Sequence, residues 1–172
     1  MFGAASLRSL AAAALLVAAP SQLLAAIPAT NSTGEVMVLR PLSLINVRDL
    51  DFGALIASAT AGTATVDPLT GAAATAGGVT ATPAPTSAAR FAGARSLRGP
   101  VQIRIPTAPV TITRSGGTET MIVSDWTLDG HTTRQVGINE AFEFNVGGTL
   151  YVGANQAPGT YVGTFTVTVN YP

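Results

Sequence analysis

Cysteine and lysine are absent from the 172 residues, and histidine occurs once, at His131. Without cysteine there is no disulfide framework, no thiol chemistry, no cysteine-built zinc site and no N-terminal cysteine to lipidate. A single histidine excludes most histidine-built metal centres and confines triad chemistry to His131. Charge is also scarce. Charged residues make up 10% of the chain, against about 25% in an average globular domain. Nine arginines balance nine acids, so no electrostatic footprint for nucleic acid or for an anionic membrane surface is present. Aromatics are few, at 6%. What the chain does have is 47% hydrophobic residues with 18 Gly and 11 Pro. Disorder goes with low hydrophobicity, so this composition argues for a folded domain.

Only one long apolar run occurs, and it is N-terminal. Arg8 precedes residues 10–19, an Ala/Leu/Val stretch ended by Pro20 and followed by small residues at Ala25, Ala26 and Ala29. This is the layout of a secretory signal peptide, and the run falls short of the ~20 residues that cross a membrane. Cleavage after Ala26 leaves Leu24 at the −3 position. Cleavage after Ala29 leaves Pro28 between two alanines. The expectation is a leader over 1–26, alternatively ending at 29, and a single mature domain over 27–172 with no membrane span. That domain is exported to the periplasm, cell surface or exterior. A domain of this size buries about 68–70% of its unfolded surface, enough for one core without disulfides.

The mature chain alternates with a period of two. Tyr161, Gly163, Phe165, Val167, Val169 and Tyr171 fall on one face of a terminal strand, and Thr164, Thr166, Thr168 and Asn170 on the other. Phe142, Phe144, Val146, Leu150 and Val152 share a face opposite Glu143, Asn145, Thr149 and Tyr151, with Gly147-Gly148 suggesting a bulge or turn. Val101, Ile103 and Ile105, then Val110 and Ile112, continue the pattern, as does the run from Met121 to Leu128 with the sole Trp126. Nearer the front come Val36–Leu39, Leu42–Val47 and Leu50–Gly53. Turn signals recur at short intervals, and no mature segment carries a sustained i, i+3, i+4, i+7 stripe. The pattern predicts an all-β, immunoglobulin-like β-sandwich of about 8–9 short strands, preceded by the signal peptide. Residues 57–89 are nearly all Ala, Thr, Gly, Ser and Pro. They read as a hairpin of small-residue strands, Thr63–Asp67 and Gly78–Thr82, in preference to a flexible spacer.

Catalytic groupings do not emerge. His131 follows Asp129-Gly130 in a turn. No serine sits in Gly-x-Ser-x-Gly, and there is no glycine-rich phosphate loop. Asp49 and Asp51 share a face if extended, which suits solvated charges flanking Leu50 and Phe52 better than an acid–base pair. Asp125 and Asp129 lack calcium-loop spacing. Charge does segregate: residues 68–118 carry five arginines and no acid, whereas 119–143 carry five acids and Arg134. Either sandwich strands pair these charges locally or they form complementary patches between subunits.

Two stretches carry a resemblance. Asp49-Leu-Asp-Phe-Gly53 follows a Pro-Leu-Ser-Leu segment. Phe144-Asn-Val-Gly-Gly-Thr-Leu-Tyr-Val-Gly153 leads through Gln156 to Gly159-Thr-Tyr-Val-Gly-Thr-Phe-Thr-Val-Thr-Val-Asn-Tyr171. Together they resemble a bacterial family of exported proteins catalogued as domain of unknown function 4402. The C-terminus is also similar to that of chaperone–usher pilins, with Gly159 fourteenth and Tyr171 second from the end. That resemblance implies a terminal strand, built on Gly159, Tyr161, Phe165, Val167, Val169 and Tyr171, that pairs with a periplasmic chaperone and later lies in a sandwich completed by another subunit. This chain departs from the pilins in lacking a disulfide and in the short, polar stretch 27–34 where a donor extension would lie.

The expected function is therefore a non-enzymatic, exported structural protein: a pilin-like, fimbrial or cell-adhesion subunit that assembles through β-strand pairing. Its partners would be the chaperone and copies of itself or related subunits, with no cofactor. The alternative is a secreted, self-contained sandwich binding a carbohydrate or matrix ligand, for which Trp126, Tyr151 and Tyr161 are the available aromatics. An outer-membrane barrel would need longer strands and two aromatic girdles.

Overall fold

The computed structural model describes residues 44–172, so the signal peptide and the expected strand at Val36–Leu39 lie outside the described residues. Eleven strands and no helix are found among them: β1 Leu44–Arg48, β2 Leu55–Val66, β3 Ala73–Ala81, β4 Ala89–Arg95, β5 Gly99–Arg104, β6 Val110–Arg114, β7 Thr120–Leu128, β8 Thr133–Val136, β9 Glu140–Val152, β10 Tyr161–Val162 and β11 Thr168–Asn170. They form a β-sandwich. Its larger sheet runs β1-β4-β9-β7-β6-β10, with the β2–β3 hairpin also joined to β9, and its smaller sheet runs β11-β5-β8. Every pairing is antiparallel.

β9 organises the larger sheet. At 13 residues it is about 44 Å long and exceeds any single neighbour. Its first half pairs with β4, from Arg95↔Glu140 to Ala89↔Val146. Its second half pairs with β2, from Val66↔Gly148 to Gly62↔Val152. Gly147-Gly148 is thus no turn. It is the point where β9 changes partner, and a Cβ on Gly147 would stand 2.2 Å from the Val66 carbonyl oxygen. Phe142, Phe144, Val146, Leu150 and Val152 all point inward and are buried, as their alternation predicts.

The core divides in two along β9. Beneath its first half, Phe91, Phe142, Phe144 and Val146 pack against Val101, Ile103 and Val136 of the smaller sheet, joined by Phe165, Val167, Val169 and Tyr171. Aromatic rings fill this half. Phe91 stacks on Phe144 at 5.3 Å, Phe165 meets Trp126 at 4.7 Å, and Phe142 lies 6.4 Å from Tyr171. Beneath its second half, Ala64, Val79, Val123, Leu150 and Val152 pack with Leu50, Phe52, Leu55 and Ile112. No residue of β5, β8 or β11 reaches this second cluster. The smaller sheet therefore covers only half of the larger one.

Four expectations differ from the structure. The count is eleven strands, not 8–9. The terminal strand is interrupted: β10 pairs with β6 and β11 with β5, while residues 163–167 cross between the sheets without a ladder partner among the described residues. Leu50–Gly53 forms no strand, only the isolated bridge Asp51↔Ser87. β4 and β8 are not among the expected strands: β4 alternates in burial, but one of its inward positions is Gly93, bare beneath Phe142, whose Cζ would lie 2.5 Å from an added Cβ. The small-residue segment is a hairpin, and longer than expected, since β2 and β3 pair from Leu55↔Ala81 to Val66↔Ala73 around an irregularity at 57–62.

Candidate functional site

The half of the larger sheet that the smaller sheet leaves uncovered among the described residues is floored by the apolar side chains of Val110, Ile112, Met121, Val123, Leu150 and Val152. Two walls rise from it. One is residues 49–57, leading from β1 into β2, and the other is residues 156–165, leading into and past β10. Trp126 and Phe91 close the end nearest the smaller sheet. The result is an open groove of about 980 Å³. A strand residue in a sandwich occupies roughly 160 Å³, from ~3.3 Å rise, ~4.8 Å strand spacing and ~10 Å sheet spacing. The groove thus has room for about six residues of extended chain.

The second wall is set by three local contacts. Gly159 adopts φ +150°, and a Cβ there would stand 2.8 Å from Arg114 Cδ. The Arg114 guanidinium lies flat against Glu119, donating from Nε at 2.7 Å and from Nη2 at 2.9 Å. That contact holds the Glu119 carboxyl below its ordinary range and raises Arg114. Tyr161 is tied down at both ends of its hydroxyl, which accepts from Gln156 Nε2 and donates to the Ala157 carbonyl, each at 2.7 Å. At Gly163 the chain passes so close to β6 that a Cβ would lie 2.6 Å from Ile112 Cγ2. Beyond it, residues 163–167 leave their backbone groups outside any ladder formed by the described residues.

Among the terminal-strand residues, Phe165, Val167, Val169 and Tyr171 are half-buried and face the aromatic half of the core, while Thr164, Thr166, Thr168 and Asn170 are exposed. The Tyr171 hydroxyl is shielded from solvent with no hydrogen-bond partner among the described residues, and Arg95 sits over its ring at 5.3 Å. Burial pushes the Tyr171 phenol up, with Arg95 opposing.

The remaining candidates separate. Asp49 and Asp51 stand on the rim of the groove, where Asp49 accepts from Asn46 Nδ2 at 2.6 Å and Asp51 from the Gly53 amide at 2.8 Å. No cluster of three metal-ligating side chains occurs among the described residues. His131 is exposed between β7 and β8. Trp126 is turned inward and donates to the Ala108 carbonyl at 3.2 Å, so Tyr151 is the aromatic left on an outer face. The segregated charges pair locally in three places: Arg90–Glu143, Arg114–Glu119 and Arg134–Asp129. Asp129 also accepts from the Asn145 backbone at 2.8 Å, which pins the β7–β8 connection to β9.

Fold and groove together define a β-sandwich whose smaller layer stops short, leaving apolar floor and unladdered backbone side by side. The chain belongs to the family described as a domain of unknown function (DUF4402), whose family model matches residues 42–171. No curated protein and no solved structure matches it.

Proposed function

We propose that this protein is an exported, non-enzymatic structural subunit that assembles by β-strand pairing beside its C-terminal segment, 159–171. The single observation that carries this reading is the groove. An extended chain laid between its walls would cover the apolar floor and offer hydrogen bonds to the backbone of 163–165, which lines the groove and has no ladder partner among the described residues, in one step. A lipid or small apolar ligand would satisfy the floor but leave the wall amides and carbonyls unpaired, at a cost of about 1–3 kcal/mol for each group so buried. The pilin resemblance of the C-terminus points the same way, with a chaperone strand during export and a strand of another subunit afterwards. On this reading the protein acts in the periplasm or at the cell surface, in a fimbrial or adhesive layer.

The test compares the mature chain, purified from export-competent cells, with a variant lacking residues 170–172. The reading expects higher-mass species from the intact chain, and loss of those species on truncation beyond what the lowered unfolding midpoint accounts for. A chain that stays monomeric at all concentrations and carries no partner strand contradicts it.

A further inference from the structure

The outer face of the larger sheet, opposite the groove, carries a second feature. Cross-strand pairing lines up Thr63, Tyr151, Ile122 and Thr111 in one row across β2, β9, β7 and β6. The next row is Thr65, Thr149 and Ser124, with Thr65 and Thr149 hydroxyls 2.9 Å apart. Four strands at ~4.8 Å spacing give a row about 14 Å across. Tyr151 and Ile122 stand exposed at its centre, at 44% and 46%. Beside them lies a shallow depression of about 500 Å³ edged by Gly62, Gly153 and Gln156.

Asp125 is the charged residue at this row. It occupies φ +48°, a region that costs a non-glycine residue about 1–3 kcal/mol, at the irregularity between Ser124 and Thr127. That distortion brings its carboxylate to the Tyr151 hydroxyl, which donates to it. Asp125 has no cationic partner within salt-bridge distance among the described residues. The site thus offers one ring of amphipathic character, a lone acceptor carboxylate and a surround of threonine and serine hydroxyls.

We propose that this face binds a neutral polysaccharide, with one pyranose ring stacked on Tyr151 and its hydroxyls directed to Asp125 and the flanking threonines. A pyranose presents an apolar C–H face and a rim of hydroxyls, and the row repeats that order: ring and Ile122 in the middle, hydroxyls on either side. The unpaired Asp125 carboxylate disfavours sulfated or uronate polymers. The apolar area is too small and too interrupted by hydroxyls for the core of a protein interface. The Tyr151–Ile122 row lies on the opposite face of the sheet from the groove floor, although the depression beside it shares Met121, Val152 and Gln156 with the groove, and binding at the row is tested separately from the assembly reading.

The purified mature chain is titrated with cellohexaose, N-acetylchitohexaose and xylohexaose, followed by amide chemical shifts and calorimetry. The expected result is saturable binding of at least one neutral hexamer, with shifts confined to residues of the two rows. Tyr151→Ala lowers that affinity about tenfold or more. Tyr151→Phe keeps the ring and loses less, and Ser58→Ala, away from the rows, changes nothing. Unfolding midpoints are recorded for each variant, and Tyr151→Trp, which keeps an aromatic platform, serves if Tyr151→Ala fails to fold. The proposal is overturned if none of the three hexamers binds at about 10 mM. Equal binding after Tyr151→Ala, or tighter binding of an oligogalacturonate than of every neutral probe, overturns it as well.

Discussion

Phe144 sits at the centre of the better-filled half of the core. Its side chain is fully buried, stacked between Phe91 and Phe142, with the Arg134 guanidinium 6.0 Å from its ring centroid. Phe144→Ala is expected to cost about 3–5 kcal/mol in chemical unfolding. Thr166→Ala, on the exposed side of the terminal segment, is expected to stay within about 0.5 kcal/mol. A loss at Thr166 as large as that at Phe144 would place the Thr166 face of the segment in a packed interior. Tyr171 behaves differently, because its shielded hydroxyl has no partner among the described residues. Tyr171→Phe removes an unmet polar group and is expected to leave stability unchanged or raise it by up to about 1 kcal/mol. Since burial raises the Tyr171 phenol, the wild-type stability from this group is complete below the ordinary tyrosine range and is lost as pH climbs through the raised value. The phenylalanine variant should show a shallower alkaline loss in its unfolding midpoint.

At the scale of elements, alternation made the long strands legible. β9, β7, β5 and β6 are visible because each sets apolar side chains against polar ones on a half-buried surface. β4 is not, since Gly93 is bare for a packing reason that only the Phe142 ring above it explains, and β8 has just four residues in which to show a period. The terminal strand shows the opposite failure. Its pattern from Tyr161 to Tyr171 is unbroken, yet the chain changes sheets halfway, and side-chain alternation carries no record of which backbone groups find a ladder partner. Gly163 marks the crossing. Gly163→Ala must push residues 163–165 away from Ile112 and the Thr111 carbonyl, at a cost of about 1–3 kcal/mol by thermal unfolding. An unperturbed midpoint would mean that the segment lies farther from β6 than described. The β6–β7 hairpin next to it is closed by Arg114 and Glu119. Glu119 has its folded-state carboxyl lowered from an ordinary 4.5, so its contribution is present above that value and fades as pH falls below it. Glu119→Gln should flatten the acid limb of the stability profile, a small effect because the pair is solvent-accessible.

On the scale of the whole molecule, the sequence discloses the fold class and the candidate strand but not the groove. Val110, Ile112, Met121, Val123, Leu150 and Val152 have the spacing of ordinary core residues, and nothing in one chain's pattern tells a covered core face from an uncovered one. What distinguishes them is the length mismatch between β9 and the three-stranded sheet opposite, a property of the assembled tertiary structure. On the function proposed above, this half of the sandwich is completed by a strand from another chain. Hydrogen–deuterium exchange across residues 163–167 addresses that claim most directly, comparing the native protein as isolated from cells with the same protein unfolded and refolded as a monomer. The account predicts rapid amide exchange over 163–167 in the monomer and strong protection in the native material, with β9 protected in both. Equal exchange of 163–167 in the two states would contradict it.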